Sequence, residues 1–87
     1  VLECVPHGLA HKITETLEIP TIGIGAGSMV DGQVLVLQDL LGMNDEFKPK
    51  FLKKYMNGEK LVMDALNKFH SEVTEEIFPS EKETYLG

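Results

Sequence analysis

The chain has 87 residues, of which 43% are hydrophobic and 25% charged, as is typical of a globular protein rather than a disordered segment. Fourteen acidic residues against eight lysines give a formal charge of −6, which argues against nucleic acids and anionic membranes as partners. No apolar run approaches the roughly 20 residues of a membrane span. Cys4 is the single cysteine, so we expect a buried, inert thiol in an intracellular, cytoplasmic protein.

A βαβ unit is the first structure that the sequence predicts. Residues 1–5 form a short apolar strand that ends at Pro6, and apolar residues at helical spacing then predict a helix of about three turns up to Leu17. Residues 19–24 follow as a second apolar strand. Strand, helix and strand joined by such short links require parallel pairing and a right-handed crossover.

A third strand is predicted over residues 33–37, after a turn at Asp31–Gly32. The near-continuous apolar runs are typical of a parallel sheet covered on both faces. A chain this short buries only about 60% of its unfolded surface, and it opens directly on a strand. We therefore expect an incomplete part of one larger α/β domain, with the predicted strands and first helix in residues 1–42.

Residues 43–87 are predicted to contain C-terminal helices and a loosely held acidic tail. Pro49 heads a short helical stretch that ends near Gly58. A longer amphipathic helix is predicted over residues 59–77, with charged residues on one face. The opposite face is apolar and consists of Val62, Leu66, Phe69, Val73 and Ile77.

Glu3 is the first candidate for a catalytic residue. A carboxylate in an apolar strand costs several kcal/mol to bury unless it is paired or has a task. In parallel α/β folds the carboxyl ends of the strands form the floor of the active site, and Glu3 lies close to such an end. The alternative is that Glu3 faces a helix and is neutralised by a lysine or a helix cap. The spacing alone does not favour either interpretation.

The glycines of the Gly23-x-Gly25-x-Gly27 motif would allow a ligand to approach the backbone, as in a phosphate-binding loop. The motif lacks the spacing of dinucleotide-binding and P-loop sequences, so a tight corner that needs small residues is an equal alternative. Asp39, at the end of the third predicted strand, could face a ligand or cap a helix.

The histidines and the lysine cluster give weaker signals. His7 and His11 are spaced like half of a zinc site, but no third ligand follows at a suitable distance, so surface histidines are the preferred interpretation. Lys48, Lys50, Lys53 and Lys54 are predicted to form a solvated helix face, with attraction of an anionic cofactor as the alternative.

Five blocks of sequence, in order, resemble the C-terminal part of the ketopantoate hydroxymethyltransferase family: VLECVP, IPTIGIGAG, DGQVLVLQDLLG, KPKF and FPSEKETY. The resemblance covers nearly the whole chain. It implies a (β/α)8 TIM barrel of the phosphoenolpyruvate/pyruvate type, in which residues 1–5, 21–24 and 34–37 would be strands six, seven and eight.

The resemblance also implies a reaction. A hydroxymethyl group would pass from 5,10-methylenetetrahydrofolate to 3-methyl-2-oxobutanoate, giving ketopantoate for pantothenate synthesis. Glu3 would be the general base, and Gly25 and Gly27 would line the substrate site. Magnesium would be held by residues upstream of this chain, so the chain alone would be inactive. Gln38 departs from the histidine of many relatives, which puts a proton-handling role there in doubt.

Family members form large homo-oligomers, so the resemblance implies self-association through the barrel and the C-terminal helices. Two alternatives remain open beside it. One is a phosphate-binding barrel enzyme that uses residues 23–27 as an anion loop. The other is a non-catalytic assembly segment whose long helix packs on a neighbouring subunit.

Overall fold

The computed structural model describes all 87 residues. It contains three short strands, three α-helices and one 3-10 helix. In chain order these are β1 (Leu2–Glu3), α1 (His7–Thr16), β2 (Ile22–Ile24), β3 (Gly32–Gln33), α2 (Leu37–Leu40), α3 (Gly58–Thr74) and the 3-10 helix Glu81–Glu83.

The strands form one parallel sheet in the order β1-β2-β3, as the sequence predicted. Leu2 and Glu3 pair with Gly23 and Ile24. All three strands are shorter than predicted, and β2 begins at Ile22 rather than at residue 19. Strand β1 stops before Cys4, whose φ of 54° places it in the left-handed region and turns the chain out of the sheet.

The predicted crossover helix is confirmed as α1, which packs on one face of the sheet. Ala10 is completely buried there. The hydroxyl of Thr14 lies 2.8 Å from the hydroxyl of Thr21, the buried residue that leads into β2. This polar contact fixes α1 over β2 and shows which face of the sheet the helix covers.

The return from β2 to β3 is tight, because only residues 25–31 separate the two strands and they contain no helix. Gly25 and Gly27 have φ values of 67° and 86°, which glycine adopts without the strain that a side chain would cause. A carboxylate oxygen of Asp31 then accepts hydrogen bonds from the backbone N–H and the hydroxyl of Thr21, at 2.8 and 3.2 Å. The glycines and Asp31 together bring β3 alongside β2.

The third strand predicted over residues 33–37 is wrong beyond its first residues. Pairing with β2 ends where Val34 donates to the carbonyl of Gly23, because β2 turns away at Gly25 and offers no further partner. The next backbone groups close a short helix instead: the N–H groups of Asp39 and Leu40 both donate to the carbonyl of Val36, at 3.0 and 2.9 Å.

The short helix predicted after Pro49 does not form beyond one turn. Leu52 donates to the carbonyl of Pro49, but the N–H of Tyr55 donates to Leu40 at 2.8 Å and that of Gly58 to Leu41 at 2.7 Å. Backbone groups that a helix would pair locally are therefore paired with the residues around α2. Hydrogen bonds to residues distant in the chain thus replace the hydrogen bonds of a local helix.

The long predicted helix is confirmed as α3, which begins at Gly58 and ends three residues earlier than expected. Glu76 adopts a φ of 60°, and the N–H of Ile77 donates back to the carbonyl of Glu72 at 2.8 Å, which closes the helix. Beyond it, Ser80 and Glu83 form a capping box around the 3-10 helix. The tail therefore has local structure of its own.

The chain encloses very little core. Its radius of gyration is 21.8 Å and its extents are 69 × 29 × 13 Å, whereas a compact domain of this length has a radius near 12 Å. The buried hydrophobic residues are Ala10 and Ala26. The larger apolar side chains are left at the surface of this chain, so its sheet is not covered on both faces. None of its helices is long and apolar enough to span a membrane.

Candidate active site

Glu3 lies on the face of the sheet opposite α1. Thr21 contacts α1, and alternation along β2 places Gly23 on the same face as Thr21. Gly23 pairs with Leu2, so the next residue, Glu3, projects to the other face beside its partner Ile24. Within this chain, Glu3 therefore does not face the crossover helix.

The carboxylate of Glu3 is exposed in this chain and takes part in none of its ion pairs. No lysine or helix cap neutralises it.

Cys4 is exposed, which makes the expectation of a buried thiol wrong. The residue follows the strand rather than belonging to it, although its N–H still donates to the carbonyl of Ile24 at 2.9 Å. Its positive φ interrupts the extended backbone at this point.

Gly25 lies under an aromatic ring. A Cβ atom at this position would stand 3.1 Å from Cδ2 of Phe51, so the ring rests against the glycine at the carboxyl end of β2. Phe51 belongs to residues 49–55, which cross the carboxyl edge of the sheet. We call these residues the covering segment.

Gly27 is equally crowded, because a Cβ atom there would stand 2.6 Å from the Cβ of His7 at the start of α1. The carbonyl of Gly27 also accepts a hydrogen bond from the side-chain amide of Gln33 at 2.8 Å. The chain's own side chains thus account for glycine at both positions. This geometry favours the tight-corner interpretation over an anion loop.

The covering segment is held at its carboxyl end by residues in and after α2. Its Tyr55 N–H donates to Leu40, and Gly42 next to α2 has no room for a side chain, because a Cβ would meet the carbonyl oxygen of Met56 at 2.2 Å. Lys54 forms an ion pair with Asp45. The hydrogen bond and the charge of Lys54 hold the pKa of the Asp45 carboxyl below its usual value.

Two grooves flank the contact between Phe51 and Gly25. The first, which we call the His7 groove, has a volume of about 470 Å³ and runs between the ends of β1 and β2, with Cys4, His7 and Lys50 among its lining residues. The second, the Tyr55 groove, has a volume of about 560 Å³ and lies over the ends of β2 and β3. It is lined by Ile24, Gly25, Gln33, Val34, Leu35, Leu40, Phe51, Lys53 and Tyr55.

Asp39 occupies neither of the positions that the sequence suggested. It is the third residue of α2 and 8% exposed, so it lies at no strand end, and the N-cap of that helix is Val36. Gln38 precedes it in α2 and is exposed. The sequence predicted that both residues lie just after the third strand, at the edge of the sheet. Because that strand ends at Gln33, both residues lie in α2 instead.

The remaining polar candidates are at the surface. His11 Nε2 lies 3.1 Å from a carboxylate oxygen of Glu15 one helical turn on, and His7 packs on Gly27. No three histidine, cysteine, aspartate or glutamate side chains of this chain lie together so that they could bind a metal ion. The lysine cluster does not form a helix face, because the covering segment is not helical.

Phe51 and Tyr55 are the residues of this edge that the sequence did not single out. Both lie within or just after the lysine cluster, which was noted only for its charge. Aromatic residues interleaved with lysines in a polar stretch were the available signal. Nothing in the sequence indicated that residues 49–55 fold back onto the sheet.

Three parallel strands, a crossover helix and polar residues at the carboxyl edge define a parallel α/β protein of the kind that binds ligands at that edge. A family model described as ketopantoate hydroxymethyltransferase matches residues 1–81. The chain belongs to the ketopantoate hydroxymethyltransferase family.

Curated relatives agree with this assignment. The chain is 67% identical over 85 residues to a 3-methyl-2-oxobutanoate hydroxymethyltransferase from Bdellovibrio bacteriovorus, covering 98% of this chain and 32% of that protein. Proteins of the same name from Francisella tularensis subsp. tularensis and Leptospira biflexa are 56% and 55% identical, over 98% and 99% of this chain and 32% of each relative. The chain thus spans about a third of the length of the relatives it matches.

Proposed function

We propose that this chain is the part of a 3-methyl-2-oxobutanoate hydroxymethyltransferase that supplies strands six to eight of a TIM barrel, followed by the C-terminal helices. The family match over residues 1–81 carries this proposal. The parallel order β1-β2-β3 and the helical crossover between β1 and β2 agree with consecutive strands of such a barrel.

The reaction joins two small molecules. The carbon next to the ketone of 3-methyl-2-oxobutanoate loses a proton, and the resulting enolate carbon forms a bond to the methylene carbon of 5,10-methylenetetrahydrofolate. The methylene carbon is released from both folate nitrogens, and water supplies the hydroxyl group of ketopantoate. The remaining proton of that water and the proton taken from the keto acid complete the two N–H groups of tetrahydrofolate. The step therefore needs a base beside the keto acid and space for a folate.

Glu3 is the base in this proposal. Its carboxylate accepts the proton from the carbon next to the ketone, at a heavy-atom distance of about 3 Å in the productive complex. Its position supports the role, since it lies at the carboxyl end of β1, on the face opposite α1, and takes part in none of the chain's ion pairs. Gly25 and Gly27 line the same edge of the sheet and would border the substrates.

The resemblance implies a magnesium ion, but the residues of this chain do not fit a site for one. No group of three potential ligands comes together, and octahedral Mg²⁺ is usually held through carboxylates and water. We assign no metal ligand here and expect the ligands on other strands of the barrel. The chain by itself would then be inactive.

The test replaces Glu3 with glutamine in the full-length protein. Glu3→Gln keeps the size of the side chain but removes the base, so exchange of the substrate's C3 proton with deuterated solvent should fall at least about a hundredfold. Glu15→Gln, at an exposed position of α1, is the matched control and should exchange at the wild-type rate. Exchange by Glu3→Gln at the wild-type rate would remove Glu3 from the mechanism.

We also propose that α3 packs on a neighbouring subunit of a homo-oligomer. Gly58 is its only buried residue, whereas Leu66 and Phe69 on the apolar face are 62% and 55% exposed. A 17-residue helix with such a stripe is unfavourable in water unless a partner covers it. Self-association can accompany catalysis.

A further inference from the structure

The Tyr55 groove lies beside the proposed base. Ile24, which lines the groove, pairs with Glu3 in the sheet, and neighbouring strands are about 4.8 Å apart. A molecule in this groove is thus one strand away from Glu3. Two substrates that exchange a carbon atom have to meet within bonding distance, so one of them is expected here.

The wall of the groove suits a flat aromatic molecule. Phe51 and Tyr55 contribute two aromatic rings, and Ile24, Val34 and Leu40 contribute aliphatic surface. Aromatic side chains attract other ring systems through stacked or edge-to-face contacts. The volume of about 560 Å³ is within the usual range of pockets that hold small molecules and cofactors.

The groove also carries a lysine that has no acidic partner in this chain. Lys53 Nζ lies 5.1 Å from the centroid of the Tyr55 ring, and Lys53 takes part in none of the chain's ion pairs. The neighbouring Lys54 is neutralised by Asp45. An unpaired lysine at a ring-lined groove attracts an anion through its local positive charge.

We propose that the Tyr55 groove binds the folate co-substrate, with its rings against Phe51 and Tyr55 and its glutamate carboxylates near Lys53. This inference rests on the proposed function. Tetrahydrofolate combines ring systems with an anionic tail, which matches the groove, whereas the keto acid has no ring. The His7 groove is lined by Phe51 but lacks the ring of Tyr55, so we assign it no folate contact.

Lys53→Gln in the full-length enzyme tests the contact with the tail. We expect the KM for 5,10-methylenetetrahydrofolate to rise about five- to tenfold, because a charge-assisted contact is lost, and the KM for the keto acid to change less than twofold. Lys68→Gln, an exposed lysine of α3, is the matched control and should change neither value.

A second experiment distinguishes a contact with the glutamate tail of the folate from a contact with its rings. With 5,10-methylenetetrahydropteroate, which lacks glutamate, the wild-type and Lys53→Gln enzymes should have the same KM. Phe51→Leu should raise the KM for the folate and for the pteroate analogue alike. A Lys53→Gln enzyme with unchanged folate KM, or with equal increases for both forms, would overturn this assignment. If the wild-type protein transfers no hydroxymethyl group at all, the proposed function fails instead.

Discussion

At the scale of single residues, the glycines show how the fold limits substitution. Gly27 combines a φ of 86° with a Cβ position 2.6 Å from His7. Either feature alone makes a side chain unfavourable, since the left-handed region costs about 1–3 kcal/mol for other residues. Gly8 in α1, by contrast, has nothing within 4 Å of its Cβ position.

Gly27→Ala should therefore lower the free energy of unfolding of the full-length protein by about 1–3 kcal/mol. Gly8→Ala should raise it by about 0.5–1 kcal/mol, because alanine favours a helix. Denaturant-induced unfolding of both variants measures the difference. Equal values for the two variants would contradict the close packing of His7 on Gly27.

At the scale of elements, the covering segment is stabilised by contacts that depend on pH. Lys54 donates a hydrogen bond to Asp45 and lies beside it as a positive charge, and both lower the pKa of that carboxyl. A group whose pKa is lower in the folded state adds stability above its unfolded pKa, near 4, and loses that stability as the pH falls through the folded value. The contact between Lys54 and Asp45 should therefore weaken only in acid.

Lys54→Gln should raise the pKa of Asp45 toward its ordinary value. Lys48→Gln should raise it less, because Lys48 contributes only the smallest of the lowering effects. NMR titration of the Asp45 carboxyl in the two variants gives both values. The same shift in both would mean that general charge, rather than the Lys54 contact, lowers the pKa.

At the scale of the whole molecule, the apolar face of α3 is where the proposed subunit contact can be tested. Leu66→Asp introduces a charge in the middle of that face, where an exposed fraction of 62% leaves nothing in the chain to cover the residue. The full-length variant should have a lower mass in light scattering than wild type, because a buried charge at a subunit contact is costly.

Asn67→Asp is the matched control, with the same change in charge at the next, exposed position of α3, and it should keep the wild-type mass. Circular dichroism verifies that both variants are folded. A folded Leu66→Asp protein of unchanged mass would mean that α3 packs within its own subunit.

The sequence by itself determined the elements that depend on local pattern. Helices α1 and α3 were predicted because their apolar residues recur at the helical period, and parallel pairing followed because a helix joins two apolar strands. The family could be recognised because five blocks of residues keep their order and spacing. The position of Glu3 near the end of a strand was likewise a local feature.

Only the tertiary structure decided what lies beside those elements. The third strand ends early because β2 offers it no further partner, and residues 49–55 remain non-helical because their backbone groups pair with residues around α2. The same contacts place Phe51 on Gly25 and bring Lys53 and Tyr55 to the carboxyl edge of the sheet. Hydrogen-bond partners distant in sequence leave no periodic signal, so the grooves could be found only in three dimensions.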